Sequence, residues 1–177
     1  MTVHEYFLTP ETVLPQELVY GAMRVAESPT TSHQQAVGEL FVELRAHVRA
    51  RELGSVWIAP LDVVLDRGEA LVVQPDLFVI LTGGVAVVED KVFGAPDLVI
   101  EVLSPNPRIG ETAERLEWFR HYGVRECWLV DQTERRVEVV QFIDRQVASR
   151  RTFTRHESIA SSVLPEFTRS LTAMLGY

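Results

Sequence analysis

The chain has one cysteine, one lysine and no long apolar run. The single Cys127 excludes an intramolecular disulfide and a cysteine-rich zinc site. No stretch approaches the roughly 20 apolar residues of a membrane span. The N-terminus lacks a basic segment followed by an apolar core, so no signal peptide is expected. Together these absences predict a cytoplasmic protein.

Positive charge is also scarce, because the formal net charge is −8. A balance of this sign argues against broad, non-specific attraction to nucleic acid, which needs a positive field. It leaves open an enzyme that binds nucleic acid locally, where bound cations offset acidic groups. Neither a phosphate-binding glycine motif nor a Gly-x-Ser-x-Gly nucleophile motif occurs.

What remains is the composition of an ordinary globular protein. The 177 residues are 46% hydrophobic and 24% charged, which predicts one domain over residues 1–177. Apolar periodicity predicts a helix from Thr31 or Ser32 to Arg51, a second over 109–122 and a short one over 166–177. Strands are predicted at 17–21, 23–27, 56–59, 61–65, 71–73, 76–81, 97–103, 124–131, 136–142 and 146–153. The order of elements predicts a mixed α/β domain with a central sheet.

The predicted strand 97–103 carries an acid inside an otherwise apolar run, Glu101. A carboxylate buried in a strand is costly unless a hydrogen bond, an ion pair or a cation compensates it. Asp76 introduces a second apolar run in the same way. Two acids on neighbouring buried strands are the beginning of a divalent-metal site. The exit from strand 97–103, with Pro105 and Pro107, is predicted to be rigid and non-helical.

Structural interpretations compete with this one. Asp76 could simply follow Pro75 into a turn, and Glu101 could pair with a buried arginine such as Arg115. Asp97 shares strand parity with Glu101, but an Asx-type turn after Pro96 is its favoured role. His33, just before the first long helix, could contact a phosphate, although a helix-capping role is favoured.

The ordered motifs resemble a known family. These motifs are Glu17-Leu-Val-Tyr-Gly21, Ser32-His33, Pro75-Asp76, Ala95-Pro-Asp-Leu-Val-Ile-Glu-Val-Leu-Ser-Pro105 and Tyr122-Gly-Val-Arg-Glu-Cys-Trp-Leu-Val-Asp131. Over residues 12–145 they resemble the Uma-type restriction endonuclease-like family. The resemblance implies the PD-(D/E)xK nuclease fold, a restriction-endonuclease-like core with a mixed sheet flanked by helices, here with extra N-terminal strands.

The resemblance also implies a chemistry, metal-dependent cleavage of DNA phosphodiester bonds. Asp76 and Glu101 would bind Mg²⁺ or Mn²⁺, and Glu17 would add a third acid. The usual lysine position after the second acid is Leu103 here, and the alternative lysine position on the next helix is Arg115. Arginine can stabilise phosphate charge but cannot readily give up a proton.

Three functional hypotheses therefore stand. The first is a Mg²⁺- or Mn²⁺-dependent endonuclease using Asp76, Glu101, Arg115 and Glu17. The second is a catalytically silent nuclease fold that acts as a binding or interaction module, favoured by the lost lysine and the acidic charge. The third is a purely stabilising pair of Glu101 with Arg115. A homodimer is the expected assembly for a small enzyme.

Overall fold

The computed structural model describes residues 1–10, 12–103 and 109–176. Its helices are α1 (Val3–Phe7), α2 (Thr31–Ala50), α3 (Thr112–Tyr122) and α4 (Leu171–Leu175). Its strands are β1 (Gln16–Val19), β2 (Ala22–Val25), β3 (Gly54–Ile58), β4 (Val63–Asp66), β5 (Leu71–Val73), β6 (Leu77–Leu81), β7 (Val87–Val88), β8 (Val92–Phe93), β9 (Leu98–Val102), β10 (Glu126–Asp131), β11 (Arg136–Ile143) and β12 (Gln146–Thr154). No helix in these ranges is long and apolar enough to cross a bilayer.

The strands form two mixed sheets. The central sheet has the order β12-β11-β10-β9-β6-β3, and within it only β9 and β10 run parallel. The second sheet has the order β2-β1-β5-β4-β8-β7. The predicted mixed α/β fold is confirmed. The extra N-terminal strands β1 and β2 do not join the central sheet, because β1 pairs with β5 in the second sheet.

Each face of the central sheet has its own hydrophobic core. Alternate side chains of β9 point to opposite faces, so Leu98 and Ile100 pack with α2 and the C-terminal segment, whereas Val99 packs with α3. Glu101 has the parity of Val99 and therefore lies on the α3 face. Trp128 on β10 is completely buried, as the sequence predicts, in the core beneath α2.

Helix boundaries differ from the predicted ones by a few residues. The residue that caps α2 is Thr30, whose hydroxyl accepts a hydrogen bond from the His33 N–H at 3.2 Å. Helix α3 begins only at Thr112, after Gly110 takes a left-handed conformation with φ +74°. Gly123 ends α3 in the predicted left-handed C-cap.

The C-terminal helix is shorter than predicted. Ser170 caps α4, which covers only Leu171–Leu175, and the preceding segment from Glu166 is not helical. The segment still covers the core, since Phe167 and Leu171 are buried against the α2 face. The predicted rigid exit at Pro105 and Pro107, and the end of the tail at Tyr177, lie outside the described residues.

Candidate functional site

Two carboxylates meet where β9 ends and β6 begins. Antiparallel pairing sets Leu77 opposite Ile100, so the next residues outward, Asp76 and Glu101, are cross-strand neighbours. Asp76 precedes β6 rather than belonging to it, and its Oδ2 accepts a hydrogen bond from the Val102 N–H at 2.8 Å. Asp76 therefore does more than form a turn after Pro75, because its side chain joins the two strands.

The Arg115 side chain reaches this pair of acids from α3. Its Nη2 and Nε donate to Oε1 of Glu101 at 2.7 and 3.1 Å. The side chains are almost buried, with 12% of Arg115 and 14% of Glu101 exposed. The predicted pair between Glu101 and Arg115 is thus present. The Arg115 position also matches the place on the helix where the family resemblance expects a lysine.

Glu17 brings a third carboxylate from β1, in the other sheet. Its Oε2 accepts from Arg115 Nη1 at 2.7 Å, and its Oε1 accepts from the same nitrogen at 3.0 Å and from the Gln74 N–H at 2.7 Å. Glu17 is therefore tied to the guanidinium and to the backbone ahead of Asp76. Because the Gln74 N–H holds the Glu17 carboxylate in place, Glu17 in turn fixes the position of the Arg115 guanidinium.

His33 is a member of the site that sequence reasoning did not assign to it. Its Nε2 lies 3.1 Å from Oδ2 of Asp76, and only 3% of its side chain is exposed. The signal was present in the sequence: His33, Val37, Leu40 and Leu44 follow the spacing of one helical face, so His33 occupies an inward position. A polar side chain on the buried stripe of a helix needs a partner, and Asp76 supplies it.

The acidic residues and the arginine line a small cavity of about 80 Å³. Its other walls are largely apolar and come from α3 and the ends of β9 and β10, including Leu116, Phe119 and Leu129. A cavity of this size holds several waters or a partly hydrated ion. It is continuous in its lining with a larger cavity, which shares Pro15, Gln74 and Asp76 with it.

Among the described residues, the charges that line the small cavity do not balance. Burial raises the pKa of Glu101, Arg115 opposes the rise and the nearby Asp76 and Glu17 carboxylates add to it, so that the pKa reaches about 7. Burial acts in the opposite direction on the Arg115 guanidinium, but Glu101 and Glu17 together raise its pKa above the ordinary value. In this part of the chain one guanidinium and three carboxylates line the cavity, so a proton or a cation on Glu101 relieves the repulsion between the carboxylates.

This donor set fits a hard divalent cation. Among the described residues no three histidine, cysteine or carboxylate side chains group as ligands for a metal ion. Mg²⁺, however, commonly takes only one or two carboxylates from a protein and completes its shell with water and phosphate oxygens. Asp76 and Glu101 supply two such carboxylates. In the described part of the chain, Oε2 of Glu101 accepts no hydrogen bond, since both Arg115 contacts fall on Oε1.

Two other charged residues discussed from the sequence lie away from the small cavity. Asp97, just before β9, accepts from the Leu81 N–H at 2.8 Å and pairs with Arg125 at 3.2 Å, in keeping with a structural role. Lys91 pairs with Asp62 at 2.6 Å and lines the larger cavity. Neither residue contributes to the cluster around Arg115.

Comparison with known proteins identifies the family to which this arrangement belongs. The model of the Uma2 family, described as "Putative restriction endonuclease", matches residues 3–173. The chain belongs to the Uma2 family. The family resemblance seen in the motifs is confirmed over nearly the whole chain, which includes Glu17, Asp76, Glu101 and Arg115.

A solved structure shares the fold of this Uma2 protein. It is described as a putative nuclease belonging to DUF820 from Anabaena variabilis, and it superposes with a TM-score of 0.80 at 19% identity. The match covers 99% of this chain and 98% of that chain. No protein with a curated description matches the chain significantly. The likeness establishes the fold and leaves the chemistry to be argued from the site.

Proposed function

We propose that this protein is a nuclease that hydrolyses phosphodiester bonds of DNA with the help of Mg²⁺ or Mn²⁺. The observation that carries the proposal is the convergence of Asp76, Glu101 and Arg115 on one cavity. Membership of a family described as "Putative restriction endonuclease" and a fold shared with a structure described as a putative nuclease support the same function. The DNA substrate follows from the family description alone.

In this proposal the two strand-end carboxylates hold the cation. Asp76 is kept in place by the Val102 N–H and by His33, and Glu101 offers Oε2 while its Oε1 is held by Arg115. A bound divalent ion supplies an activated water and offsets charge on the phosphate. The walls of Leu116 and Phe119 keep bulk water out, which strengthens these electrostatic interactions.

Arg115 takes the phosphate-stabilising role. A guanidinium has five N–H donors. Among the described residues its partners are Glu101, Glu17 and the Ile109 carbonyl, which together use both Nη1 donors, Nε and one Nη2 donor. One Nη2 donor is left for a phosphate oxygen. Because Arg115 stays protonated, it stabilises charge and does not accept a proton from water.

A second function is supported by the same ion pairs. Arg115 already satisfies Glu17 and Glu101 without any ligand, as expected of a nuclease fold that has lost catalysis and acts as a binding or interaction module. The two functions differ in whether the carboxylates bind a cation. A metal-binding experiment therefore separates them before any substrate is known.

The deciding experiment is calorimetric titration of Mn²⁺ into wild type, Glu101→Gln and Glu39→Gln. Glu39 lies exposed on α2, outside both cavities, and serves as the matched control. We expect saturable binding in wild type and Glu39→Gln, with affinity at least about tenfold weaker in Glu101→Gln, as for the loss of a ligand. We also expect cleavage of supercoiled and single-stranded DNA that follows metal occupancy.

Equal binding by wild type and Glu101→Gln would remove Glu101 from the cation site. Absence of binding in wild type would favour the catalytically silent module. Binding without cleavage of any DNA would retain the metal site and contradict the nuclease activity.

A further inference from the structure

The larger cavity lies beside the proposed cation site and has no part in the chemistry described so far. It encloses about 690 Å³ between α1, the start of α2 and the loop around Leu61. Ligand sites typically enclose about 300–1,000 Å³. Its lining includes Asp76 and His33, so a ligand in it touches the same carboxylate that is proposed to hold the cation.

A buried acid organises one wall of this cavity. Asp62 is 5% exposed. Its Oδ1 accepts from Gln74 Nε2 at 2.8 Å and from the Tyr6 hydroxyl at 3.3 Å, and its Oδ2 accepts from Lys91 Nζ at 2.6 Å. Burial and the Asp62 charge raise the pKa of Tyr6, so the phenol stays protonated and acts as a donor. Asp62 is thus held from three sides.

This network holds the chain's only lysine at the cavity wall. Lys91 is 39% exposed, and its ammonium also lies 5.5 Å from the centre of the Phe7 ring. An ammonium has three N–H donors. Of the residues with described positions, only Asp62 takes a hydrogen bond from it, which leaves two donors for a ligand. The ligand best matched to such a group is an anion.

The remaining walls suit a flat, partly apolar ligand. Phe7, Pro60 and Leu61 give the lining an apolar part, and Gln34 and Gln74 add amide groups. A phosphate beside an apolar surface with a few hydrogen-bonding groups is the chemistry of a nucleotide unit. A volume of about 690 Å³ is large enough for about one or two nucleotides and too small for an intact duplex.

We infer that this pocket binds a nucleotide next to the bond that is cleaved, with Lys91 contacting its phosphate and the Phe7–Pro60–Leu61 wall receiving its base. The inference rests on the proposed nucleic-acid substrate and deepens it. The strand reaches the site as a single strand or as an extruded nucleotide. Lys91 is a binding residue here, and Asp62 positions it.

The competing interpretation is that Lys91 serves only to neutralise Asp62. Anisotropy of a labelled oligothymidine of about 12 nucleotides separates the two, measured over a salt series in buffer with EDTA. The variants are Lys91→Gln, Lys91→Arg, Asp62→Asn and the matched control Arg169→Gln. Arg169 also pairs with an acid, Glu43, but lies outside both cavities.

We expect single-stranded DNA to bind more tightly than duplex. Lys91→Gln should weaken binding about fivefold and reduce the salt slope by about 0.7, the value for one phosphate contact on a single strand. Lys91→Arg should retain binding, and Arg169→Gln should match wild type. Asp62→Asn removes a negative charge from the wall and keeps an oxygen that can accept from Lys91 and hold it in place, so this variant should bind DNA more tightly.

An unchanged affinity and salt slope in Lys91→Gln would overturn the inference, as would equal binding of duplex and single strand. If Lys91→Gln does not fold, Asp62→Asn decides the question, because unchanged or weaker binding by that variant contradicts an electrostatic role for Lys91. The measurement needs no metal. Lys91-dependent DNA binding without Mn²⁺ binding would therefore refute the metal-dependent nuclease and retain the nucleotide pocket. Mn²⁺ binding without Lys91-dependent DNA binding would refute the nucleotide pocket and retain the metal-dependent nuclease.

Discussion

At the scale of single residues, the ratio of cations to carboxylates around Arg115 determines the properties of the site. Glu17, Asp76 and Glu101 all line the cavity, and Arg115 is the cation that pairs directly with two of them. An arrangement that was only a stabilising ion pair would need one carboxylate for one guanidinium. Burial is the main cause that raises the pKa of Glu101, and the surplus of negative charge among the described residues adds to it. A divalent cation would neutralise that surplus.

The raised pKa of Glu101 predicts that the stability of the protein depends on pH. Burial and the neighbouring carboxylates raise this pKa from its ordinary value of 4.5 to about 7, so between these values the folded state binds more protons than the unfolded state. Its contribution to the free energy of unfolding is therefore fully present below about pH 4.5 and is lost as the pH rises to about 7. Above that pH the contribution is constant.

Denaturant unfolding of wild type and Glu101→Gln across about pH 5 to 8 measures this effect. We expect the stability of wild type relative to Glu101→Gln to fall as pH rises and then to level off. Taking the difference removes the contributions of the other titrating groups. A stability difference that stays constant over the whole pH range would mean that Glu101 titrates normally. The claim that burial and the neighbouring carboxylates raise its pKa would then be wrong.

At the scale of elements, the first turn of α2 places the His33 side chain in the site. The Thr30 hydroxyl caps the His33 N–H, and the His33 ring reaches Asp76. Thr30→Ala should lower the free energy of unfolding by about 1 kcal/mol, the usual cost of a lost cap. Thr31→Ala is the matched control, because Thr31 is the next residue in the chain, is exposed and does not cap the helix.

Denaturant unfolding of the two variants and of Thr30→Ser tests this. Serine keeps the capping hydroxyl and should restore most of the stability. Equal losses in Thr30→Ala and Thr31→Ala would show that the cap does not fix the start of α2.

The sequence predicts the elements much better than it predicts their pairing. The apolar stripe of α2 and the alternation of side chains along β9 are local patterns. The sequence therefore predicts the helix and the face of the strand on which Glu101 lies. The second sheet could not be predicted, because β4 pairs in parallel with the two-residue β8, which follows only after β5, β6 and β7, and a strand of two residues has no periodicity.

In the site too, the sequence predicts features that depend on neighbouring residues and does not predict contacts between residues that are far apart in the chain. Asp76 and Glu101 stood out because each is an acid at an apolar strand, and the register of β6 with β9 brings them together. His33 was assigned a capping role because the sequence does not reveal its distant partner. The contact of Glu17 with Arg115 also depends on packing between two sheets, and no spacing along the chain encodes it.

At the scale of the whole molecule, the Arg115 cluster is a junction between the two sheets. Glu17 comes from β1 in the second sheet, Glu101 comes from β9 in the central sheet, and Arg115 on α3 binds both. The same contacts that shape the site therefore couple the two halves of the fold. The proposed function and the stability of the fold therefore meet in these residues, and a variant at Glu17 should lower the free energy of unfolding.

The last prediction concerns this coupling. Glu17→Gln removes one charge from a buried ion pair, which typically costs about 3–5 kcal/mol when the partner is left uncompensated. Arg115 keeps Glu101, so we expect a smaller loss, about 2 kcal/mol, and faster amide hydrogen exchange in β1 and β2 than in β9 and β10. A double-mutant cycle with Arg115→Met isolates the pair.

A coupling energy near zero in that cycle would mean that Glu17 and Arg115 stabilise the fold independently. Uniform acceleration of exchange in both sheets would mean that the two sheets unfold as one unit, and it would contradict the expected local loosening of the second sheet. The expected pattern, slower exchange in β9 and β10 than in β1 and β2 after Glu17→Gln, would mean that the part of the site that holds Asp76 and Glu101 stays intact when the second sheet loosens. In that case Glu17→Gln should retain Mn²⁺ binding, since both proposed ligands lie in the central sheet or at its edge.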